Sequence, residues 1–191
     1  MSDHGLPLLI TGFGPFRNFT VNPSGVAAAA AAQAANTLAG RTVALAATLT
    51  VDHLTARDEL EALLREHRPR TCLCTGLAAG DIYRLERVAR RPVEFGPDDA
   101  SAPVPEPLPS RWDWQPVADA LTARDAPWRY SDDCGRYVCE STQYAALHFA
   151  QRHGFPASAC FLHVPAITEL FPQQRITADV TAVVRAVLAM A

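Results

Sequence analysis

The stretch LLITGFGPFRNFTVNPSGVAAAAAAQAANTLAG, residues 8–40, decides the fold class. Leu8 to Thr11 is a short apolar run between Pro7 and the turn Gly12-Phe13-Gly14-Pro15, which reads as a buried strand entering a loop. Asn22-Pro23-Ser24 predicts a helix start, with Asn at the cap and Pro in the first turn. Val26 to Ala39 has the highest helix propensity in the chain, and Gly40 stops it. Its small side chains allow close packing on a sheet, so the stretch is one strand–turn–helix unit.

The same alternation continues outward. Thr42–Val51 reads as a strand and Ala56–His67 as a helix that Thr55 caps; Thr71–Thr75 is a strand ending in Gly76-Leu77-Ala78-Ala79-Gly80. Ile82–Arg91 reads as extended, and the Pro-rich stretch 92–109 as a mobile loop. A helix over Asp113–Arg124, a strand over Trp128–Ser131, a helix over Tyr137–His153 and a strand over Cys160–His163 follow. Ile176–Met190 is the last helix, with Val180, Val183, Val184 and Val187 on one stripe. The expectation is an α/β fold: one domain over residues 1–191, a three-layer αβα sandwich with a mostly parallel central sheet. Ligand sites in such sheets lie at the carboxyl ends of the strands, so the Gly12, Gly76 and His163 regions are expected to share one edge.

Composition narrows the function classes. Of the 191 residues 49% are hydrophobic and 19% charged, which excludes a disordered or fibrous chain. A net charge of -3 leaves no overall positive field for nucleic acid or anionic membrane, and the run Arg84, Arg87, Arg90, Arg91 reads as a solvated face. Five cysteines cannot all pair within the chain, and their spacing is neither a disulfide framework nor a four-ligand zinc pattern. The start MSDHGLPLLITGFG lacks the pattern of a signal peptide, and no apolar stretch is long enough for a membrane helix. A cytoplasmic location is expected, where free thiols survive.

Cys139 carries the first chemical signal, in SDDCGRYVCESTQYAALHFA at the start of a helix. Unpaired N–H groups and the macrodipole there favour an anion, which suits a nucleophilic thiolate; a buried structural cysteine is the equal alternative. His163 follows an apolar strand at its functional end, as a base or as a core histidine bonded to a carbonyl. Glu86 is the candidate orienter of that imidazole, with Arg84 and Arg87 as its ion-pair partners; taken alone it is a surface charge. Cys72 and Cys74 share a strand face and read as core. Cys134 reads as filler before Gly135, or as a second reactive thiol. Histidines 4, 53, 67, 148 and 153 lack ligand spacing, so no metal is expected, and GFGPF lacks the P-loop and dinucleotide signatures.

Three segments together resemble the pyroglutamyl peptidase I (pyrrolidone carboxyl peptidase) family of cysteine peptidases. They are TGFGPFRNFTVNPS, GLAAGDIYRLERVA, and the pair SDDCGRYVCESTQYAALH with FLHVP, in family order over nearly the whole chain. The resemblance implies Cys139 as nucleophile, His163 as general base and acid, and Glu86 as the orienter of the histidine. It places Phe13 and Phe16 against the pyroglutamyl ring, with Asn22 in the same pocket. It implies a peptide substrate with an N-terminal pyroglutamate, no cofactor, and a homotetramer. Asp81, Glu140 and Arg90-Arg91-Pro92 depart from the family pattern, and the chain is short for the family. They motivate a second expectation, a catalytically weak homologue that binds blocked N-termini.

Overall fold

A computed structural model describes residues 5–16, 20–97, 106–110 and 112–190. Strand β1 (Leu8–Phe13) feeds helix α1 (Pro23–Ala39) as the sequence predicts. The Asn22 side chain caps α1 by accepting from the Ser24 N–H, and Gly40, at φ 63°, ends it in the left-handed conformation that glycine adopts without strain. Strand β2 (Ala44–Leu49), helix α2 (His53–His67) and strand β3 (Thr71–Leu77) follow. Asp52, not Thr55, caps α2: its Oδ1 accepts from the Thr55 N–H at 2.9 Å. Both residues carry a capping oxygen, and the carboxylate three positions earlier reaches the free N–H.

The extended segment 82–91 resolves into β4 (Tyr83–Glu86) and β5 (Val88–Ala89). The Pro-rich stretch forms structure at both of its ends. It makes a 3-10 turn at Val93–Phe95 and the two-residue strand β6 (Leu108–Pro109), which pairs with β5; residues 98–105 lie outside the described part. Helix α3 (Gln115–Thr122), strand β7 (Trp128–Ser131), helix α4 (Val138–His153), strand β8 (Ser158–Val164) and helix α5 (Gln173–Met190) complete the chain.

The six-stranded sheet runs β2-β1-β3-β8-β4-β7. β2, β1, β3 and β8 are mutually parallel, β4 is antiparallel to β8, and β7 is parallel to β4. The sequence pattern did not signal that reversal. Five residues separate β3 from β4, too few for the crossover of a dozen or more that a parallel return needs.

Alternation along the strands sorts the core into two layers. Tyr83, Leu85, Cys160, Leu162 and Val164 pack with α1, α3 and α5 on one face. Cys72, Cys74, Ala159 and Phe161 pack with α2 and α4 on the other. Cys139, Cys134 and Phe13 belong to this second layer, so the chemistry-bearing residues collect between the sheet and α4.

Candidate active site

Register brings Glu86 to His163. In the antiparallel pair of β4 with β8, Arg84 faces His163 and Glu86 faces Phe161. Directly opposed residues share a sheet face, as do residues two apart, so Glu86 and His163 are diagonal neighbours on the α4 face. Their side chains close that diagonal: Nδ1 of His163 lies 2.8 Å from Oε1 of Glu86. Both are buried, His163 at 3% exposure and Glu86 at 0%. This bond fixes the ring orientation; an imidazole that donates to a carboxylate here carries its proton on Nδ1 and keeps the lone pair of Nε2 free. The arginines expected to pair with Glu86 turn elsewhere. Arg87 Nε donates to Asp132 at 2.8 Å, and Arg84 donates to the Ala79 carbonyl.

Cys139 is the second residue of α4. Tyr137 occupies the cap position in an extended conformation and makes no side-chain cap bond, unlike the caps of α1 and α2. The Glu140 N–H donates to the Tyr137 carbonyl at 3.0 Å, and the N–H of Cys139 itself acts on its sulfur. The Cys139 Sγ packs over Gly76, which is the β3 ladder partner of His163. One turn along α4, Gln143 donates to the Glu86 carbonyl at 3.0 Å and pins the end of β4 to the helix that bears Cys139.

The electrostatics depart from the helix-start expectation. Burial pushes the Cys139 thiol up to about 12, the Glu86 charge adds to this, and the cysteine's own N–H opposes it. Desolvation therefore outweighs the field of the helix, and the resting sulfur is a thiol. Glu140, next in sequence, takes its Oε1 to the Arg90 N–H at 3.1 Å. Burial raises its carboxyl above the usual range. The carboxylate that acts on Cys139 is that of Glu86, across the sheet.

The N-terminal segment is built by close approach. Phe13 ends β1 at 2% exposure, and its N–H donates to Ser24 Oγ at 3.1 Å. Ser24 Oγ in turn donates to Asn22 Oδ1 at 2.8 Å, so Asn22 holds both the α1 start and the Phe13 backbone. A Cβ on Gly12 would stand 2.6 Å from the Gly25 N and one on Gly25 2.5 Å from the Phe13 carbonyl oxygen, so β1 and α1 approach this closely only through these two glycines. Phe16 is half-buried in the same loop.

Three residues of the site carry no local sequence signal as part of a pair. Gly76 and Gln143 act through the sheet ladder and the helix turn. Cys134 is buried at 5% exposure, and its Sγ, a His163 ring nitrogen and a Glu86 oxygen all lie within 4.8 Å of one another. Cys72 and Cys74 lie 3.7 Å apart, sulfur to sulfur, in the core as expected, and all five cysteines are free thiols.

Comparison with known proteins identifies the family. A curated pyrrolidone-carboxylate peptidase of Deinococcus radiodurans is 36% identical over 176 residues, covering 83% of this chain and 78% of that protein. Another, from Gloeobacter violaceus, is 31% identical over 173 residues, covering 85% and 82%. A solved mutant of pyrrolidone carboxyl peptidase from Pyrococcus furiosus shares the fold, with a TM-score of 0.79 over 96% of this chain and 99% of that one, at 24% identity. Among the described residues no helix is long and apolar enough to cross a membrane. The family model described as pyroglutamyl peptidase matches residues 6–189, from the first strand through the last helix, and the chain belongs to that family of cysteine peptidases.

Proposed function

We propose that this chain hydrolyses the amide bond after an N-terminal pyroglutamyl residue, using Cys139, His163 and Glu86 through a thioester. The observation that carries the reading is the buried Glu86–His163 bond at 2.8 Å, beside an uncapped helix start that bears a thiol.

Because burial keeps the resting thiol protonated, the nucleophile forms in the reaction step. His163 Nε2 takes the Sγ proton as sulfur attacks the pyroglutamyl carbonyl carbon, and the new imidazolium is held by Glu86. The carbonyl oxygen takes up the negative charge and accepts from backbone N–H groups at the start of α4, where the cap residue Tyr137 makes no side-chain cap bond. His163 returns its proton to the leaving amine nitrogen, the C–N bond breaks, and the acyl group remains on sulfur. Water, deprotonated by His163, then attacks the thioester; Sγ leaves and regains the proton.

Specificity follows from the ligand's neutrality. The lactam ring is flat and uncharged, suited to aromatic faces such as Phe13 and Phe16, whereas a free α-ammonium is costly to desolvate in the same place. Asn22 serves that pocket through Ser24, which holds the Phe13 backbone.

The test is hydrolysis of a pyroglutamyl aminomethylcoumarin amide by the wild type and by Cys139→Ala. Release of the fluorophore that disappears in the variant, with unchanged near-ultraviolet circular dichroism, is the expected result. Undiminished release in the variant overturns the assignment. The raised thiol favours one second reading, a homologue that binds blocked N-termini with little turnover. Saturable pyroglutamate binding without hydrolysis at any pH between mild acid and mild alkali would establish it instead.

A further inference from the structure

Glu86, His163 and Cys134 come from three separate segments: the end of β4, the strand β8, and the turn after β7. Their donor atoms, one sulfur, one nitrogen and one oxygen, lie mutually within 4.8 Å, and all three side chains are buried. A cysteine that only fills space sits among apolar groups; this one sits against a carboxylate and an imidazole. The carboxylate is also incompletely used. Oε1 of Glu86 meets His163, whereas Oε2 is buried without a hydrogen-bond partner among the described residues. An orphaned carboxylate oxygen in the interior is costly, and a cation is one group that satisfies it.

We propose that these three residues form a binding site for a thiophilic divalent cation, zinc being the type, and that its occupancy switches the peptidase off. Thiolate, imidazole and carboxylate are the zinc donor set, whereas magnesium and calcium take oxygen ligands. Donors around tetrahedral zinc stand about 3.5 Å apart, so the group closes on the ion by side-chain shifts of roughly 1 Å. Binding releases the Cys134 proton to solvent, leaves the imidazole neutral with its one proton on the ring nitrogen that does not take the ion, and forms one bond from each donor. It occupies the histidine and the carboxylate that the peptidase reaction needs for proton transfer, so bound metal and turnover exclude one another. The inhibitory half rests on the Cys139–His163–Glu86 reading; the binding half does not.

The experiment separates the two thiols. Cobalt(II) is titrated into wild type, Cys139→Ala and Cys134→Ser, followed by the near-ultraviolet sulfur-to-cobalt charge-transfer band. Wild type and Cys139→Ala are expected to bind one ion per chain with that band, and Cys134→Ser to lose the band and at least about 10-fold in affinity. Cys134→Ala, which removes the hydroxyl as well, repeats the test if the serine variant misfolds. In parallel, zinc inhibition of pyroglutamyl amide hydrolysis is expected to weaken at least about 10-fold in Cys134→Ser. A band that follows Cys139 instead, or equal cobalt affinity and spectrum without Cys134, overturns the site. Cobalt binding that tracks Cys134, with zinc leaving hydrolysis untouched, overturns the switch. Absence of any peptidase activity would bear on the catalytic reading alone, because the cobalt titration needs no turnover.

Discussion

The sulfur of Cys139 rests where Gly76 has no side chain. A Cβ at Gly76 would stand 2.8 Å from that sulfur and 2.8 Å from the Cζ of Phe161, closer than packed atoms tolerate. Gly76 pairs with His163 in the ladder of β3 with β8, and the Phe161 ring lies 4.8 Å from the imidazole, centroid to centroid. One missing methyl group thus makes room for the Cys139 sulfur and the Phe161 ring beside the strand that carries His163.

Gly76→Ala is therefore expected to displace the thiol while leaving the sheet paired. A misplacement of about 1 Å costs on the order of 100-fold in rate. The check is kcat/KM for a pyroglutamyl amide alongside a urea unfolding curve. Activity within threefold of wild type would show that the sulfur is not held against this glycine during catalysis.

Glu86→Gln separates two properties that usually move together. The Glu86 charge helps raise the Cys139 thiol, after burial, so its removal lowers the thiol's pKa and increases the thiolate fraction. Alkylation of Cys139 by iodoacetamide at mildly alkaline pH is expected to quicken. Turnover is expected to fall by about 100-fold or more, because the imidazolium loses its counter-charge and its orientation. Alkylation and hydrolysis both slowing would mean that Glu86 does not act on the thiol.

Stability should decline in alkali. Burial raises the thiols of Cys139, Cys134 and Cys160, and the Cys74 sulfur raises that of Cys72. A raised folded-state value means the native chain keeps protons that the unfolded chain, with thiols near about 8.5, gives up. This contribution is complete below about pH 8 and is lost as pH rises through the unfolded value toward the folded ones, with Cys139 at about 12. Cys74, lowered by its bond from Cys72, contributes with the opposite sign and offsets part of that pair. Urea midpoints at pH 7.5 and 10.5, under reducing conditions, are expected to differ, the alkaline one being lower. Equal midpoints would refute the burial argument.

The legible part of the fold was what local chemistry dictates. The Asn22-Pro23 start and Gly40 stop of α1 stand where propensity and capping put them, and β7 spans the residues the pattern marked. The direction of β4 was not legible, because it follows from the length of a loop and from β8 arriving some seventy residues later to lie between β3 and β4. The site divides in the same way. Cys139 at a helix start and His163 at a strand end are local features, and they were read. Cys134 beside His163 and Gln143 on the Glu86 carbonyl exist only through register, and a linear pattern holds no trace of them. The thiol's pKa fails for a related reason: the helix start is visible in sequence, and the burial that outweighs it is not.

β4 is held from its other face by a buried charge. The Tyr83 hydroxyl donates to Oδ2 of Asp179 at 2.9 Å, and Arg124 bonds Oδ1. Asp179 is fully buried on α5, so this carboxylate ties the strand that carries Glu86 to α5 and to the turn that follows α3 in the opposite layer. Asp179→Ala leaves the Tyr83 hydroxyl buried without its acceptor and removes the counter-charge of Arg124, which reaches in from the surface. The expected loss is about 3 kcal/mol of unfolding free energy. Asp179→Asn keeps an acceptor for the tyrosine and should lose less. Because Tyr83 lies three residues before Glu86, the alanine variant is also expected to loosen the Glu86–His163 bond and lower kcat at temperatures below its melting transition. Chemical denaturation of both variants, with kcat measured well below each midpoint, distinguishes the effects. Full stability in Asp179→Ala would remove the anchor, and full stability loss with unchanged kcat would confine it to folding.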